Sequence, residues 1–178
     1  MKNSKAAVRY AISLLDLATE KSAADAVLAD MKSLKLSIEG NQEMDMFLSS
    51  PVITGEKKAE ILKTIFAGKL NDITIDFLAF VSVKNRANIL LAIANSFEDA
   101  YRKANNIVKL YVESAVKLDK TNIDAISTKL APAGATIEVE ESINPDLIGG
   151  FVARIGDNQI DSSILSSLKR LKTEFQSK

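Results

Sequence analysis

Apolar residues recur every three or four positions along the first 105 residues, which is the spacing of helix faces that pack into a core. Capping residues and a proline divide this stretch into segments with short connections. Six helices are predicted: residues 5–20, residues 23–39, a short helix around Met44 and Leu48 that stops at Pro51, a helix capped by Thr54, a helix that begins at Asn71 or Asp72, and residues 87–105. We therefore expect an antiparallel six-helix bundle.

The first predicted helix has two apolar rows. The main row consists of Ala7, Tyr10, Ala11, Leu14 and Ala18, and the second consists of Val8, Ile12 and Leu15. A helix that packs against one core needs a single apolar stripe. The second row therefore predicts either deep burial among several helices or a face that a partner covers.

The periodicity changes near residue 106 from helical to alternating. Three strands are predicted, at residues 107–113, around Ile137 and Val139, and at residues 151–155, with a short helix near residues 121–131 and turn residues at Gly156-Asp157-Asn158 before Gln159-Ile160. Asp161 is a plausible N-cap for a last helix, whose apolar row is Ile164, Leu168, Leu171 and Phe175. The predicted fold class is α+β, with a helical bundle at residues 1–105 and a small mixed α/β domain at residues 106–178.

Composition removes several functional classes. The 23 basic residues balance the 23 acidic ones, and no basic cluster stands out, so nucleic acid is not an expected partner. The chain has neither cysteine nor histidine, the residues that most often bind metals or transfer protons. We expect a protein that is not an enzyme and that has no catalytic residue, no metal and no cofactor.

No segment of the sequence is apolar enough to insert into a membrane by itself. The longest apolar run within a helical pattern is Ile89 to Ala94, whereas crossing a bilayer takes about 20 residues. Residues 1–5 lead into a helical pattern without the apolar core of a signal peptide. Any membrane association is therefore expected to come through partners.

Motifs of nucleotide binding and of hydrolysis fail on inspection. Gly68-Lys69 lacks both the upstream glycine and the following Ser or Thr of a phosphate-binding loop, and no serine lies in a Gly-x-Ser-x-Gly elbow. Glu138, Glu140 and Glu141 are better explained as a solvated strand face than as a cation site. Gly149-Gly150 is the most informative local feature, and it indicates a tight entry into the strand at Phe151.

The segment from Ile143 to Asp157, followed by Asp161-Ser162-Ser163-Ile164, resembles the signature of the ATP synthase delta subunit family, which includes the mitochondrial oligomycin-sensitivity-conferring protein. Arg9-Tyr10-Ala11, the stop at Pro51 and Lys84-Asn85-Arg86 fit the same family in the same order, so the resemblance covers nearly the whole chain. The residues that match the signature are Gly149, Gly150, Arg154, Gly156, Asp157 and Asp161.

The resemblance implies a peripheral-stalk subunit that tethers the catalytic head of a rotary ATP synthase to its stator. It implies a groove between the first and fifth helices for the N-terminal helix of an alpha subunit, and a C-terminal domain that meets the C-terminus of a b-type stator subunit. The residues expected near that groove are Tyr10, Ala11, Leu14, Phe77 and Val81. The implied location is peripheral, on the cytoplasmic side of the bacterial inner membrane.

Two other functions fit the residues. A generic helical adaptor would use the same exposed apolar face for an unrelated helix. A hydrolase or transferase that uses Asp, Glu or Lys would need a deep pocket in which such groups have strongly shifted pKa values.

Overall fold

The computed structural model describes residues 4–130, 134–156 and 158–176. Over these residues it contains eight α-helices and one four-stranded mixed sheet, which confirms the α+β fold class. The chain divides into two compact units, Met1–Arg102 and Lys103–Lys178. None of the described helices combines the length and the apolar character that a bilayer crossing needs.

The N-terminal unit is built from helices. They are α1 (Lys5–Glu20), α2 (Ala24–Glu39), α3 (Gln42–Ser49), α4 (Gly55–Phe66), α5 (Asp72–Val83) and α6 (Leu90–Ala104), with a 3-10 turn at Ala87–Ile89 before α6. Four of these helices have a side-chain cap, because Ser4, Asn41, Thr54 and Asn71 each accept a hydrogen bond from a backbone N–H in the first turn. Such caps explain why the helix starts are readable from sequence.

One apolar cluster fills the N-terminal unit. It takes side chains from every helix, and its largest fully buried members include Leu14, Leu34, Leu62, Leu90 and Phe97. The main row of α1 lies in this cluster. Because that row faces the core, most side chains on the two flanks of α1 lie outside the core.

Among the described residues of the helical unit three charged side chains are buried, and two of them, Lys58 and Asp30, form hydrogen bonds at the ends of neighbouring helices. The Lys58 ammonium on α4 donates to the carbonyl oxygens of Leu48, at 2.7 Å, and Ser50, at 2.6 Å, and so satisfies acceptors at the end of α3. The Asp30 carboxylate on α2 accepts hydrogen bonds from the start of α5. Both groups tie helices together through the backbone of a helix end.

The C-terminal unit contains a four-stranded sheet with the order β2-β1-β3-β4. Its elements are β1 (Ile107–Ser114), α7 (Lys120–Leu130), β2 (Thr136–Ile143), β3 (Phe151–Ile155), β4 (Asn158–Asp161) and α8 (Ile164–Gln176), with a 3-10 turn at Pro145–Leu147. Strand β1 is central: it pairs in parallel with β2, after the crossover through α7, and antiparallel with β3.

The sheet has one covered face and one open face. Leu110, Val112, Ala153 and Ile155 point to the covered face and pack with Ile126 of α7. The opposite face is polar, with Lys109 paired to Glu140 at 3.3 Å and Tyr111 exposed. The small core therefore lies between α7 and a single side of the sheet.

Candidate partner-binding site

A groove of about 490 Å³ runs between α1 and α5 of the N-terminal unit. Its lining comes from Tyr10, Ser13, Leu14 and Leu17 on α1, from the C-cap residue Lys21, and from Ile73, Asp76, Phe77 and Phe80 on α5. We refer to it below as the α1–α5 groove. Its floor is apolar, and its three polar side chains are Ser13, Lys21 and Asp76.

Aromatic rings form one end of the α1–α5 groove. The Tyr10 ring meets the rings of Phe77 and Phe80 edge-on, with both centroid distances at 6.4 Å. Phe80 remains 51% exposed, although it is large and apolar. The Lys84 ammonium lies 5.8 Å from the centre of the Phe80 ring. Exposed aromatic area in a concave, well-packed surface is typical of sites that take up another protein segment.

The residues predicted for this groove divide into two groups. Tyr10, Leu14 and Phe77 line it together. Ala11 and Val81 are 0% exposed and belong to the core cluster, because each lies on the face of its helix that points into the bundle. The structure therefore places these two side chains in the core instead of in the groove.

Sequence reasoning missed Leu17, Ile73 and Phe80, which also line the groove. A signal for two of them was present, because Ile73, Phe77 and Phe80 form one row on α5, separate from the row of Leu78 and Val81. The first row lines the groove and the second is buried. The spacing of the apolar residues identifies the two rows, but it does not show which row faces a neighbouring helix.

The rim of the groove carries both signs of charge. Lys21 and Asp76 lie on opposite walls, and Asp76 also pairs with Lys63 of α4 at 3.7 Å between exposed side chains. Exposed pairs of this kind contribute little to stability. The rim is therefore suited to selecting a partner's register, while the apolar floor would provide most of the affinity.

The second apolar row of α1 is mostly exposed. Leu15 is buried, but Val8 is 38% exposed and Ile12 is 47% exposed, on the flank of the helix away from the groove. Of the two explanations offered by the sequence, deep burial applies to Leu15 and an uncovered face applies to Val8 and Ile12.

The paired glycines of the signature sit where the chain enters β3. Gly150 has φ +77°, and a Cβ atom there would lie 2.1 Å from the carbonyl oxygen of Ser162. A Cβ on Gly149 would lie 2.5 Å from the Cδ1 atom of Ile164. The glycines allow the start of β3 to pack directly against the segment between β4 and α8, where Ser162 N–H donates to the Phe151 carbonyl at 2.9 Å.

Asp161 stabilises the start of α8, although it is not the N-cap residue. Ser163 has that role, because its Oγ accepts from the Ser166 N–H at 3.2 Å. The Asp161 carboxylate accepts from the Ser163 N–H at 2.9 Å and from the Ser166 hydroxyl at 2.6 Å. The hydrogen bond from the Ser166 side chain, followed by those from Ser163, lowers the pKa of Asp161 below its ordinary value.

The other signature residues lie around the turn between β3 and β4. The Arg154 guanidinium, on the open face of the sheet, donates to Gln159 Oε1 at 2.8 Å. Gly156 has φ +54° in that turn. Asp157 lies outside the described residues. In the described part of this turn, the signature residues provide a left-handed backbone position at Gly156 and a side-chain hydrogen bond between β3 and β4.

A second apolar surface lies on α8. Its row of Ile164, Leu168, Leu171 and Phe175 is between 47% and 80% exposed, and no described residue of α8 is buried. A cleft of about 510 Å³ opens nearby between α7 and the strands β3 and β4, with mostly apolar walls that include Ile126, Phe151 and Ile160. Both surfaces would gain from being covered.

Nothing in the described part of the chain resembles a metal site, since no three His, Cys, Asp or Glu side chains come together there. The lining of the α1–α5 groove is apolar apart from Ser13, Lys21, Asp76 and the Tyr10 hydroxyl. The arrangement can bind an apolar segment.

Comparison with known proteins gives a consistent result. The family model described as ATP synthase delta (OSCP) subunit matches residues 6–175. Proteins named ATP synthase subunit delta are 30% identical in Cytophaga hutchinsonii, 35% in Flavobacterium johnsoniae and 36% in Desulforamulus reducens. These matches cover 98%, 98% and 96% of this chain and 96%, 99% and 94% of the relatives.

A similar fold occurs in a solved structure, the Toxoplasma gondii mitochondrial ATP synthase hexamer. The match to one of its chains has a TM-score of 0.69 at 20% identity, and it covers 97% of this chain and 98% of the other. The likeness extends over both units.

Proposed function

Since the chain belongs to the ATP synthase delta (OSCP) subunit family and is a peripheral-stalk subunit of ATP synthase, we propose that its α1–α5 groove receives the N-terminal helix of the alpha subunit. Helices α1 to α6 would act as one six-helix bundle that presents this groove. The protein would work as a static, non-catalytic tether between the catalytic head and the stator.

One observation carries the proposal: the groove is apolar, aromatic and open. Phe80 is half exposed beside the edge-packed rings of Tyr10 and Phe77. An amphipathic helix binds such a groove by placing apolar side chains from successive turns into it, and the aromatic walls provide most of the contact area. A groove that is already formed suits a tether, because less conformational entropy is lost on binding when the binding surface does not have to rearrange.

The C-terminal unit would supply the second attachment, to the C-terminus of a b-type stator subunit. The support is the exposed row on α8, whose four apolar side chains recur with helical spacing. A partner helix packed along this row would bury surface that the unit itself leaves uncovered. With one partner on each unit, the chain would prevent the head from turning with the rotor. It would do so on the cytoplasmic side of the bacterial inner membrane.

The test is a calorimetric titration of the full chain with the N-terminal peptide of the alpha subunit from the same organism. Phe80→Asp should weaken binding by about 2 kcal/mol or more, because a charge would replace a half-exposed aromatic ring that lines the groove. Phe175→Asp is the matched control, since this exposed phenylalanine lies on α8 of the other unit. It should leave the affinity for the alpha peptide unchanged.

The same titration separates this proposal from a generic adaptor. Binding of the alpha peptide that Phe80→Asp abolishes and Phe175→Asp preserves supports the α1–α5 groove as the site. Equal binding of unrelated amphipathic helices would favour an adaptor without preference for alpha. No binding by a chain with the expected circular dichroism spectrum would contradict the proposal.

A further inference from the structure

We infer that Asp30, a residue of α2 that does not line the α1–α5 groove, positions the α5 wall of that groove for its partner. The inference rests on the proposed function of the groove and adds a positioning residue to it. The observations that carry it are the burial of the carboxylate, its two bonds to the start of α5, and the side of α5 on which those bonds are made.

The Asp30 carboxylate holds the first turn of α5 through one oxygen. Its Oδ2 atom accepts from the Asn71 N–H at 2.8 Å and from the Thr74 hydroxyl at 2.6 Å. Asp30 is only 9% exposed and Thr74 is fully buried. Asn71 is also the N-cap of α5, with its own side chain accepting from the Ile73 N–H at 3.0 Å. The carboxylate therefore sits at the positive end of the α5 dipole, where a negative charge is favoured.

The position of Thr74 on α5 links this contact to the side chains that line the groove. Thr74 faces the interior, whereas Ile73, its neighbour along the chain, and Phe77, three residues further on, line the groove. Residues about 100° apart on a helix move together when the helix rotates or slides. Fixing Thr74 against α2 therefore fixes how far Ile73 and Phe77 project toward α1.

Hydrogen bonds donated to a charged acceptor are suited to holding α5 in place. Hydrogen bonds to an ionised group are stronger and more directional than neutral ones, and removing the carboxylate would leave the buried Thr74 hydroxyl and the partly buried Asn71 N–H without this acceptor. The start of α5 would then move to find new acceptors. The distance between the α1 and α5 walls of the groove would change, although every side chain that lines the groove would still be present.

A buried carboxylate elsewhere in the unit provides the matched control. Glu98 on α6 is 8% exposed, and its partners are Arg102 on the same helix, at 2.9 Å, and Lys35 on α2, at 3.8 Å. Glu98→Ala thus removes a comparable group whose partners are not on α5. A loss of stability without an effect on the groove should be its only consequence.

The experiment titrates the full chain, as wild type, Asp30→Ala, Asp30→Asn and Glu98→Ala, with the alpha-subunit N-terminal peptide, at a temperature where all four are folded. Asp30→Ala should raise Kd about tenfold, the equivalent of one lost charge-assisted hydrogen bond. Asp30→Asn retains an acceptor oxygen and should recover part of the affinity. Glu98→Ala should bind like the wild type, even if it unfolds at a lower temperature.

A second readout does not depend on the peptide. Nuclear Overhauser effects between the ring protons of Tyr10 and Phe77 report the spacing of the groove walls in the free protein. They should weaken in Asp30→Ala and persist in Glu98→Ala. If Asp30→Ala fails to fold, Thr74→Val removes one of the two bonds at nearly constant shape and should show the same two changes at smaller size.

The outcomes separate the inference from the proposed function. A wild type that does not bind the peptide contradicts the proposed function, while the ring contacts still decide whether Asp30 positions α5. Normal binding and unchanged ring contacts in Asp30→Ala would overturn the inference and leave the function standing. Equal loss of affinity in Glu98→Ala would also overturn it, because the effect would then follow stability alone.

Discussion

The two units of the chain differ in how much of their apolar surface they bury. In the described residues, the helical unit has 21 buried members in one core cluster, whereas the C-terminal unit has five. Single helices show the same contrast: α1 buries four of the five residues of its main row, all but Tyr10, whereas α8 buries none of its row. The first unit has the larger core, and the second depends more on local backbone geometry.

The difference also shows in how the elements are fixed. Helices of the first unit are joined by long-range contacts between buried groups, such as Asp30 with Thr74 and Lys58 with the end of α3. The second unit relies on close backbone packing at Gly150 and on bonds at the start of α8. The stability of the first unit should therefore depend mainly on the volume of its buried side chains. The stability of the second should depend mainly on close packing of its backbone.

The largest expected effect comes from a cavity in the larger core. Phe97 on α6 is fully buried, so Phe97→Ala should destabilise the helical unit by about 3–5 kcal/mol. Hydrogen exchange measured by mass spectrometry should show faster exchange in α1 to α6 and little change in β1 and β3. Leu110→Ala is the matching change in the smaller core and should give the reverse pattern. If either variant lost protection from hydrogen exchange in both units, that result would contradict the division of the chain into two separately stabilised units.

A second effect tests the role of backbone fit. Gly150→Ala should destabilise the C-terminal unit by about 2–4 kcal/mol, since it adds a backbone clash to the cost of a left-handed conformation. Gly134 has nearly the same φ, +78°, but a Cβ placed there has no atom of the described residues within 4 Å, its chain neighbours aside. Thermal unfolding of Gly134→Ala should therefore show only the conformational part, about 1–2 kcal/mol. Equal losses in the two variants would show that close packing at Gly150 contributes nothing.

The smallest effect is a pH dependence at the start of α8. Hydrogen bonds from Ser166 and Ser163 lower the pKa of Asp161 below 3.8, so its contribution to stability is present above that pH and is lost as the pH falls through the folded-state pKa. The stability difference between the wild type and Asp161→Asn should shrink as the pH is lowered below 4. Ser166→Ala should raise the pKa of Asp161, which carboxyl-carbon NMR titration can measure. An unchanged pKa in that variant would contradict the assigned cause.

Local chemistry made much of the fold predictable. Ser, Thr and Asn caps mark helix starts, and alternation marks β1 and β2, because both signals depend on neighbours within a few residues. Asp161 was predicted as a cap for the same reason, and the error of two residues reflects two capping residues placed close together.

The candidate site was only partly predictable, because it depends on neighbours far apart in sequence. Spacing identifies the rows on α1 and α5, but it does not tell which row meets the other helix, so Ala11 and Val81 were placed in the groove although they are core. Asp30 gave no signal at all. Its partners lie 41 and 44 residues away, and an isolated Asp in a helical pattern looks like an exposed one.

The central position of β1 has a mechanical consequence for a tether. Eight residue pairs join β1 to β2 and five join it to β3. Inter-strand hydrogen bonds run across the strands, so a pull along the axis of β1 loads both sets in shear, and many bonds must break at nearly the same moment. A pull across an edge strand would instead peel the bonds open one after another. Because β1 follows α6 directly along the chain, tension carried through the connection would meet the sheet at its most resistant strand.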